Sequence, residues 1–445
     1  MIKYIIGLVG LFATQFAFGQ GLDSKKLDKF LDALEQNDRF MGSVSISKSG
    51  KKIYSKSVGY AALDEEKKAN KKTIYRIGSI SKMFTSVMIF QLIEEGKLGE
   101  HTKLSKFYPD LPNADKITIG NLLNHHSGLH NFTDDASYME WMTEGKTKEE
   151  MLLMFQFNGA DFEAGEKASY SNTGYVVLGY IIEKLTKMSY AEALKKRITD
   201  KIGLKNTYYG GKIDVEKEEA LSYQWDGGKW IAATETDMGI PGGAGAVVST
   251  PEDLNSFINA LFSHKLIKKK TLDLMVSIED GFGFGVFQFP FKQKRSLGHN
   301  GGIDGFTSMV AHFANEDIAI AVVSNGTNYA FNNVLIGLLS ITFGDDYEIP
   351  SFKTYKHKEE DLKRFEGVYA SPQLPIKLTI TKEGMILKGQ GTGQAAFPLE
   401  AVDKLLFKFE QAGVVIEFEA VEKGAYQAFL LKQGGGEYKF TREKE

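Results

Sequence analysis

The segment from Ser81 to Glu95 carries Met83, Phe84, Val87, Met88, Phe90, Leu92 and Ile93, holds no glycine or proline, and is followed by Gly96. Laid on a 3.6-residue repeat, these apolar side chains fall on every side, so a helix built from them has no face for water. Gly96 supplies its stop. Such a helix needs a body that surrounds it, and 445 residues, at about 100–200 per domain, allow two or three domains with cores of their own. With 25% charged and 42% hydrophobic residues, the composition is that of a folded globular chain.

Charge and cysteine content narrow the partners and the chemistry. The 54 basic and 57 acidic side chains leave a net charge of −3, which argues against nucleic acid, because neutralising phosphates takes a concentrated basic face. The chain has no cysteine, which excludes disulfides, zinc–thiolate sites, iron–sulfur clusters and thiol nucleophiles.

The first residues read as an address. Lys3 gives a short positive start, Ile5 to Phe18 is apolar apart from Thr14 and Gln15, and Ala17 and Gly19 stand two apart before Gln20. This three-part pattern predicts a signal peptide over residues 1–19, cleaved after Gly19, and a periplasmic or secreted mature protein. The apolar run falls short of the ~20 residues that a membrane span requires, so no stable membrane anchor is expected after cleavage.

Residues 20–344 alternate irregularly between helical and strand patterns. Leu27, Phe30, Leu31 and Leu34 recur at helical spacing. Ser43–Lys48 and Lys51–Lys56 flank Ser49-Gly50 as a predicted hairpin. Helices are predicted over Tyr175–Leu185 and Pro251–Leu266, the latter opening on a threonine cap and an early proline. Strands return at Ser308–Phe313 and Ile318–Val323, and alternating Phe282 and Phe284 read as another. Residues 345–364 turn polar and read as a linker. Residues 365–445 are short, evenly spaced strand patterns, which predict a small antiparallel barrel of lipocalin-like kind. The whole is an α/β (α+β) chain: a mixed sheet flanked by helices with a helical region, then the barrel.

Candidate chemistry begins at Ser79. It precedes the apolar helix, with Lys82 three residues on, and positions i and i+3 of a helix share a face. A free serine is a weak nucleophile, and a desolvated lysine of lowered pKa can act as its base. Ser-x-x-Lys also occurs at Ser45–Lys48 and Ser49–Lys52, but those copies fall in the predicted hairpin. Tyr170-Ser-Asn172 lies directly before a predicted helix. A tyrosine held near a lysine ammonium gives up its proton more easily, and the asparagine can hold a substrate amide. His299-Asn300-Gly301 and Gly302 lie ahead of the last strands, where glycine lets a substrate approach the backbone.

In this order, the three motifs resemble those of the serine β-lactamase and penicillin-binding-protein superfamily, in the branch of class C β-lactamases, D-alanyl-D-alanine carboxypeptidases, D-aminopeptidases and esterases. Supporting stretches are Ile117–Leu129, Gly242–Leu254 and Ile202–Thr207, and the resemblance spans about residues 25–343. It implies a β-lactamase/transpeptidase-like fold and an acyl-enzyme on Ser79, with Lys82 and Tyr170 as the proton-transfer pair. It further implies that Asn172, His299, Asn300 and Gly301 bind substrate and that the N–H groups of Ser79 and Gly302 form the oxyanion hole. No cofactor or metal is implied.

His299 stands where many relatives carry a lysine that grips a substrate carboxylate. An imidazole is mostly neutral above ~6.5, which points to an amide, peptide or ester substrate without an essential carboxylate there. A β-lactamase or D-alanyl-D-alanine carboxypeptidase is the alternative within the same fold. A non-catalytic protein that binds wall peptide or a partner is the alternative outside it. The expected partner is thus a small molecule or peptide, cell-wall material included. The cluster His125, His126 and His130 lacks the spacing of a His-Glu-x-x-His metal site and reads as a turn beside the active site.

Overall fold

In the computed structural model, which describes residues 21–352, 354–433 and 436–443, the apolar helix runs Ser81–Glu94 and is buried over almost its whole length. The proposed signal segment lies outside the described residues. Phe84 stacks on Phe257 of the helix Pro251–Phe262 at 3.8 Å, and the helix Asn172–Thr186 packs beside it. The surrounding core also takes in Ile181, Leu194 and Leu254. Among the described residues, no helix is long and apolar enough to cross a membrane.

The main sheet has six antiparallel strands in the spatial order Phe287–Phe291, Lys294–Ile303, Phe306–Phe313, Ile318–Thr327, Phe40–Lys48 and Lys51–Val58. The predicted hairpin turns at Ser49 and Gly50, both at positive φ (51° and 70°), the handedness that suits two-residue hairpins. Val44 and Ile46 face a core closed by the helices Ser24–Gln36 and Phe331–Phe343. On the opposite face, Ser45 and Ser47 look solvent-facing in the sequence, yet both are buried. Asn255 donates to Ser45 Oγ at 3.0 Å and Asn259 to Ser47 Oγ at 2.8 Å, so one helix covers a polar strand face with matching amides.

Two readings are corrected. Phe282 and Phe284 do not form a strand: Gly281 and Gly285 sit at φ +87° and +78°, and the chain between them turns instead. The two rings serve different neighbours, His125 and Phe90. The segment after Asp345 is no free linker. Tyr347 meets Phe30 edge-on at 5.5 Å, Phe352 meets Tyr329 at 5.4 Å, and His357 stacks on Phe407 of the barrel at 5.3 Å. It is a strap whose aromatic side chains are anchored in both bodies. Arg39 adds an ion pair to Glu400 across the same junction at 2.5 Å.

The C-terminal strands, Gly367–Ala370 through Gly436–Arg442, close into an eight-stranded antiparallel barrel, as expected. Phe365, Tyr369, Phe407, Phe418, Phe429 and Phe440 fill its interior, so the barrel is a packed core and not a ligand cup.

Candidate active site

Ser79 sits in a single 3₁₀ turn, Gly78–Ile80, that feeds into the apolar helix. One face of this turn opens on a cavity of about 410 Å³, bordered by Gly78, Ser79, Asn172 and Gly302. One turn on, Lys82 is fully buried. Its Nζ lies 3.1 Å from Ser79 Oγ, 2.7 Å from Asn172 Oδ1 and 2.9 Å from the Ala244 carbonyl. Burial holds this amine well below the ordinary lysine range, and none of its three partners is a carboxylate that would offset the shift. A neutral amine has two hydrogens and one lone pair. Asn172 Oδ1 and the Ala244 carbonyl can only accept, so they take the hydrogens and leave the lone pair for the Ser79 hydroxyl. The packing thus brings the serine and the lysine of Ser-x-x-Lys into direct contact.

Asn172 is held from both ends. Its Oδ1 accepts from Lys82, and its Nδ2 donates to Thr133 Oγ1 at 3.0 Å, leaving its second amide hydrogen free. Asn131 Oδ1 accepts from the Asn172 backbone N–H at 2.9 Å, and Asn131 Nδ2 donates to Thr133 Oγ1 at 2.9 Å. Tyr170 lies near the Ser79 side chain, and its ring stacks on His125 at 4.4 Å. Burial raises this phenol above its ordinary value, with Ser79 opposing. The sequence reading expected a lysine ammonium to ease its ionisation. The same burial that raises Tyr170 also lowers Lys82, which weakens that assistance.

The glycines of the third motif are steric requirements. A Cβ on Gly301 would lie 2.1 Å from the Ile77 carbonyl and 3.0 Å from the Ser79 nitrogen. A Cβ on Gly78 would lie 2.8 Å from the Gly302 nitrogen. Strand and turn therefore meet backbone to backbone, and Ser79 and Gly302 both border the cavity.

His299 behaves differently from its motif neighbours. Its side chain is 1% exposed, meets Phe287 edge-on at 4.6 Å, and donates from Nδ1 to the Asn300 carbonyl at 2.5 Å. Burial lowers its pKa to about 3. Its Nε2 is buried without a protein partner. Asn300 is exposed, outside the residues that border the cavity. Among the described residues bordering that cavity there is no lysine, arginine or histidine, and Asp304 is tied to Arg76 at 2.8 Å.

Arg76 and Asp304 were not anticipated. Fully buried, Arg76 bonds to Asp304, to Glu235 at 2.6 Å, and to the carbonyls of Thr236 and Gly211, both at 2.8 Å. Asp304 also accepts from the Thr236 N–H at 3.0 Å. The network ties the strand before Ser79 and the turn after Gly302 to the far cavity wall. Nothing local in the sequence pairs residues so far apart. The Ala244 carbonyl was likewise missed, although the run Gly242-Gly-Ala-Gly245 was a signal: a Cβ on Gly243 would lie 2.6 Å from the Tyr175 carbonyl.

The histidine cluster splits up. His125 lies under Tyr170, and His126 bonds to the Asn124 carbonyl at 2.9 Å. His130 sits between Asp161 at 2.9 Å and Asp135 at 3.0 Å, with its carbonyl accepting from Thr173 Oγ1.

A serine in contact with a buried lysine amine, at a cavity beside a glycine-lined strand edge, is the arrangement of a serine-type hydrolase. The chain belongs to the Beta-lactamase family, whose model matches residues 27–337. It is 28% identical to penicillin-binding protein 4* of Bacillus subtilis (strain 168) over 457 aligned positions, covering 94% of this chain and 99% of that protein. It is 28% identical over 325 positions to the teichoic acid D-alanine hydrolase of Staphylococcus aureus, covering 70% of this chain and 77% of that protein. The structure of D-amino acid amidase from Ochrobactrum anthropi SV3 matches with a TM-score of 0.61 at 25% identity, over 72% of this chain and 98% of that one.

Two outcomes follow from the geometry. Gly301→Ala displaces the strand edge from Ser79, so kcat/KM falls by roughly 10²–10³, the loss typical of one oxyanion donor. Unchanged kcat/KM in folded protein would refute that placement. The second concerns His130, whose pKa is raised first by Asp161, against desolvation, and then by Asp135. A raised folded-state pKa contributes stability fully below the unfolded value of ~6.5, and that contribution fades as pH rises through the folded value. The Tm gap between wild type and His130→Gln is therefore wider at pH 5.5 than at pH 9. A gap that is constant or widens with pH counts against the ion pairs.

Proposed function

We propose that this chain is an exported hydrolase that releases a D-amino acyl group from an amide or ester through an acyl-enzyme on Ser79. The observation that carries the reading is the 3.1 Å contact between Ser79 Oγ and the buried Lys82 amine. As Oγ bonds to the substrate carbonyl carbon, the Lys82 lone pair takes the Ser79 proton. The N–H groups of Ser79 and Gly302 receive the oxyanion, and the free amide hydrogen of Asn172 holds the acyl side. The bond to the leaving group then breaks. Tyr170 passes its proton to the departing amine or alkoxide and recovers one from Lys82, which suits a phenol whose pKa is high. Water attacks the acyl-enzyme with the same pair as base, releasing the acid and restoring Ser79.

What surrounds the cavity supports this substrate class. A carboxylate would find no fixed cation among the described bordering residues, and the imidazole at the motif position is buried and neutral. A D-amino acyl amide or ester needs no such cation. The D configuration is taken from the relatives, one a D-alanine hydrolase and one a D-amino acid amidase. Export rests on the N-terminal pattern alone.

The test is a substrate panel with intact-mass detection: D-alanyl and L-alanyl p-nitroanilides, a D-alanyl ester and benzylpenicillin, on wild type and Ser79→Ala. The D-alanyl compounds should be turned over at least tenfold faster than benzylpenicillin, with a loss of 10³ or more in Ser79→Ala and an acyl adduct that maps to Ser79. Turnover that survives Ser79→Ala, or a tenfold preference for the carboxylate-bearing β-lactam, would overturn the reading.

A further inference from the structure

A larger cavity, about 950 Å³, lies between the hydrolase domain and the barrel, away from Ser79. One wall is the tip of the hairpin formed by Tyr223–Trp225 and Trp230–Ala232. Successive residues of a strand face opposite sides: Gln224 borders the catalytic cavity, while Trp225 turns into this groove. The facing wall comes from the barrel strand Phe397–Ala401 and its neighbours.

The groove's chemistry is specific. Trp225 is half-buried and braced edge-on by Trp230 at 4.9 Å. Opposite, half-buried Phe397 and Phe409 stack at 5.0 Å with their planes 22° apart, forming a flat aromatic platform. These two pack against the edge of the barrel core and at the same time border the groove. Four basic and five acidic side chains border it, so the charge is nearly balanced and favours neither a polyanion nor a polycation. Several of these charges are already paired, including Arg39 with Glu400 and Lys408 with Glu410. The platform strand is hydrogen-bonded on both sides within the closed barrel, so it offers no edge on which an extended peptide could add as a strand.

We propose that this groove is an oligosaccharide-binding site: a neutral, polyhydroxylated chain lies with its sugar rings between Trp225 and the Phe397–Phe409 platform. Sugar rings present apolar C–H faces to aromatic side chains and hydroxyl edges to charged and amide groups, the two kinds of surface found here. A volume near 1,000 Å³ sits at the upper end of ordinary ligand sites and holds several rings. The proposal is independent of the acyl-enzyme reading, because no groove residue touches Ser79 or its partners.

The experiment is a titration of the full chain, by tryptophan fluorescence and calorimetry, with a β-1,4-linked N-acetylglucosamine hexamer and a glucose hexamer. An alanine-rich peptide and polyphosphate serve as comparison ligands. Saturable binding of an oligosaccharide is expected, weakened at least tenfold by Trp225→Ala and, from the other wall, by Phe397→Ala. Hydrolysis of a small D-alanyl ester should stay within twofold in both variants. Should Trp225→Ala disturb the hairpin, seen in thermal unfolding, Phe397→Ala on the separate barrel still decides. The proposal fails if neither oligosaccharide binds, if binding survives both substitutions, or if only the peptide or polyphosphate binds.

Discussion

The contact between Lys82 and Ser79 depends on desolvation, and desolvation depends on the entire helical body. A lysine at the first turn of an exposed helix would be an ammonium, with no lone pair to offer. Here the amine is enclosed by the apolar helix itself, by Asn172 at the start of a neighbouring helix, and by the Ala244 carbonyl from a glycine-rich turn. The apolar residues on all sides of Ser81–Glu94 are therefore part of the chemistry as well as of the core. They keep water, and with it the ammonium form, away from Nζ.

A second constraint is the approach of two backbones. Ile77 to Ser79 lies directly against Gly301 and Gly302, closer than any side chain allows. The Arg76–Asp304 pair locks the two segments together just outside that contact. A buried pair of this kind gains little net stability but is costly to break, since either partner alone would be a stranded charge. Its value lies in registration: the turn after Gly302 and the strand before Ser79 cannot slide relative to each other without separating these charges.

Much of this was legible from the sequence where the signal was local. Ser79 and Lys82 are linked by helix periodicity, the Ser49-Gly50 turn by hairpin chemistry, and the barrel by its evenly spaced strands. Tyr170 and Asn172 were legible through motif order, though their surroundings were not. The misses share one cause: they are contacts between segments distant in the chain. The buried serines of Phe40–Lys48 look polar until Asn255 and Asn259 cover them. Residues 345–364 look like linker because the partners of Tyr347, Phe352 and His357, namely Phe30, Tyr329 and Phe407, stand far away in sequence. The inward turn of His299 and the high pKa of Tyr170 are consequences of burial, which no motif records.

The central claim is that burial holds the Lys82 amine well below the ordinary lysine range, so that it can take the Ser79 proton. The most direct test is carbon NMR of protein labelled at the lysine ε-carbons, followed across pH. The account predicts one resonance, absent in Lys82→Arg, that titrates well below all the other lysines. If every lysine ε-carbon keeps its ammonium shift through pH 9, Lys82 is not the base and the account is wrong.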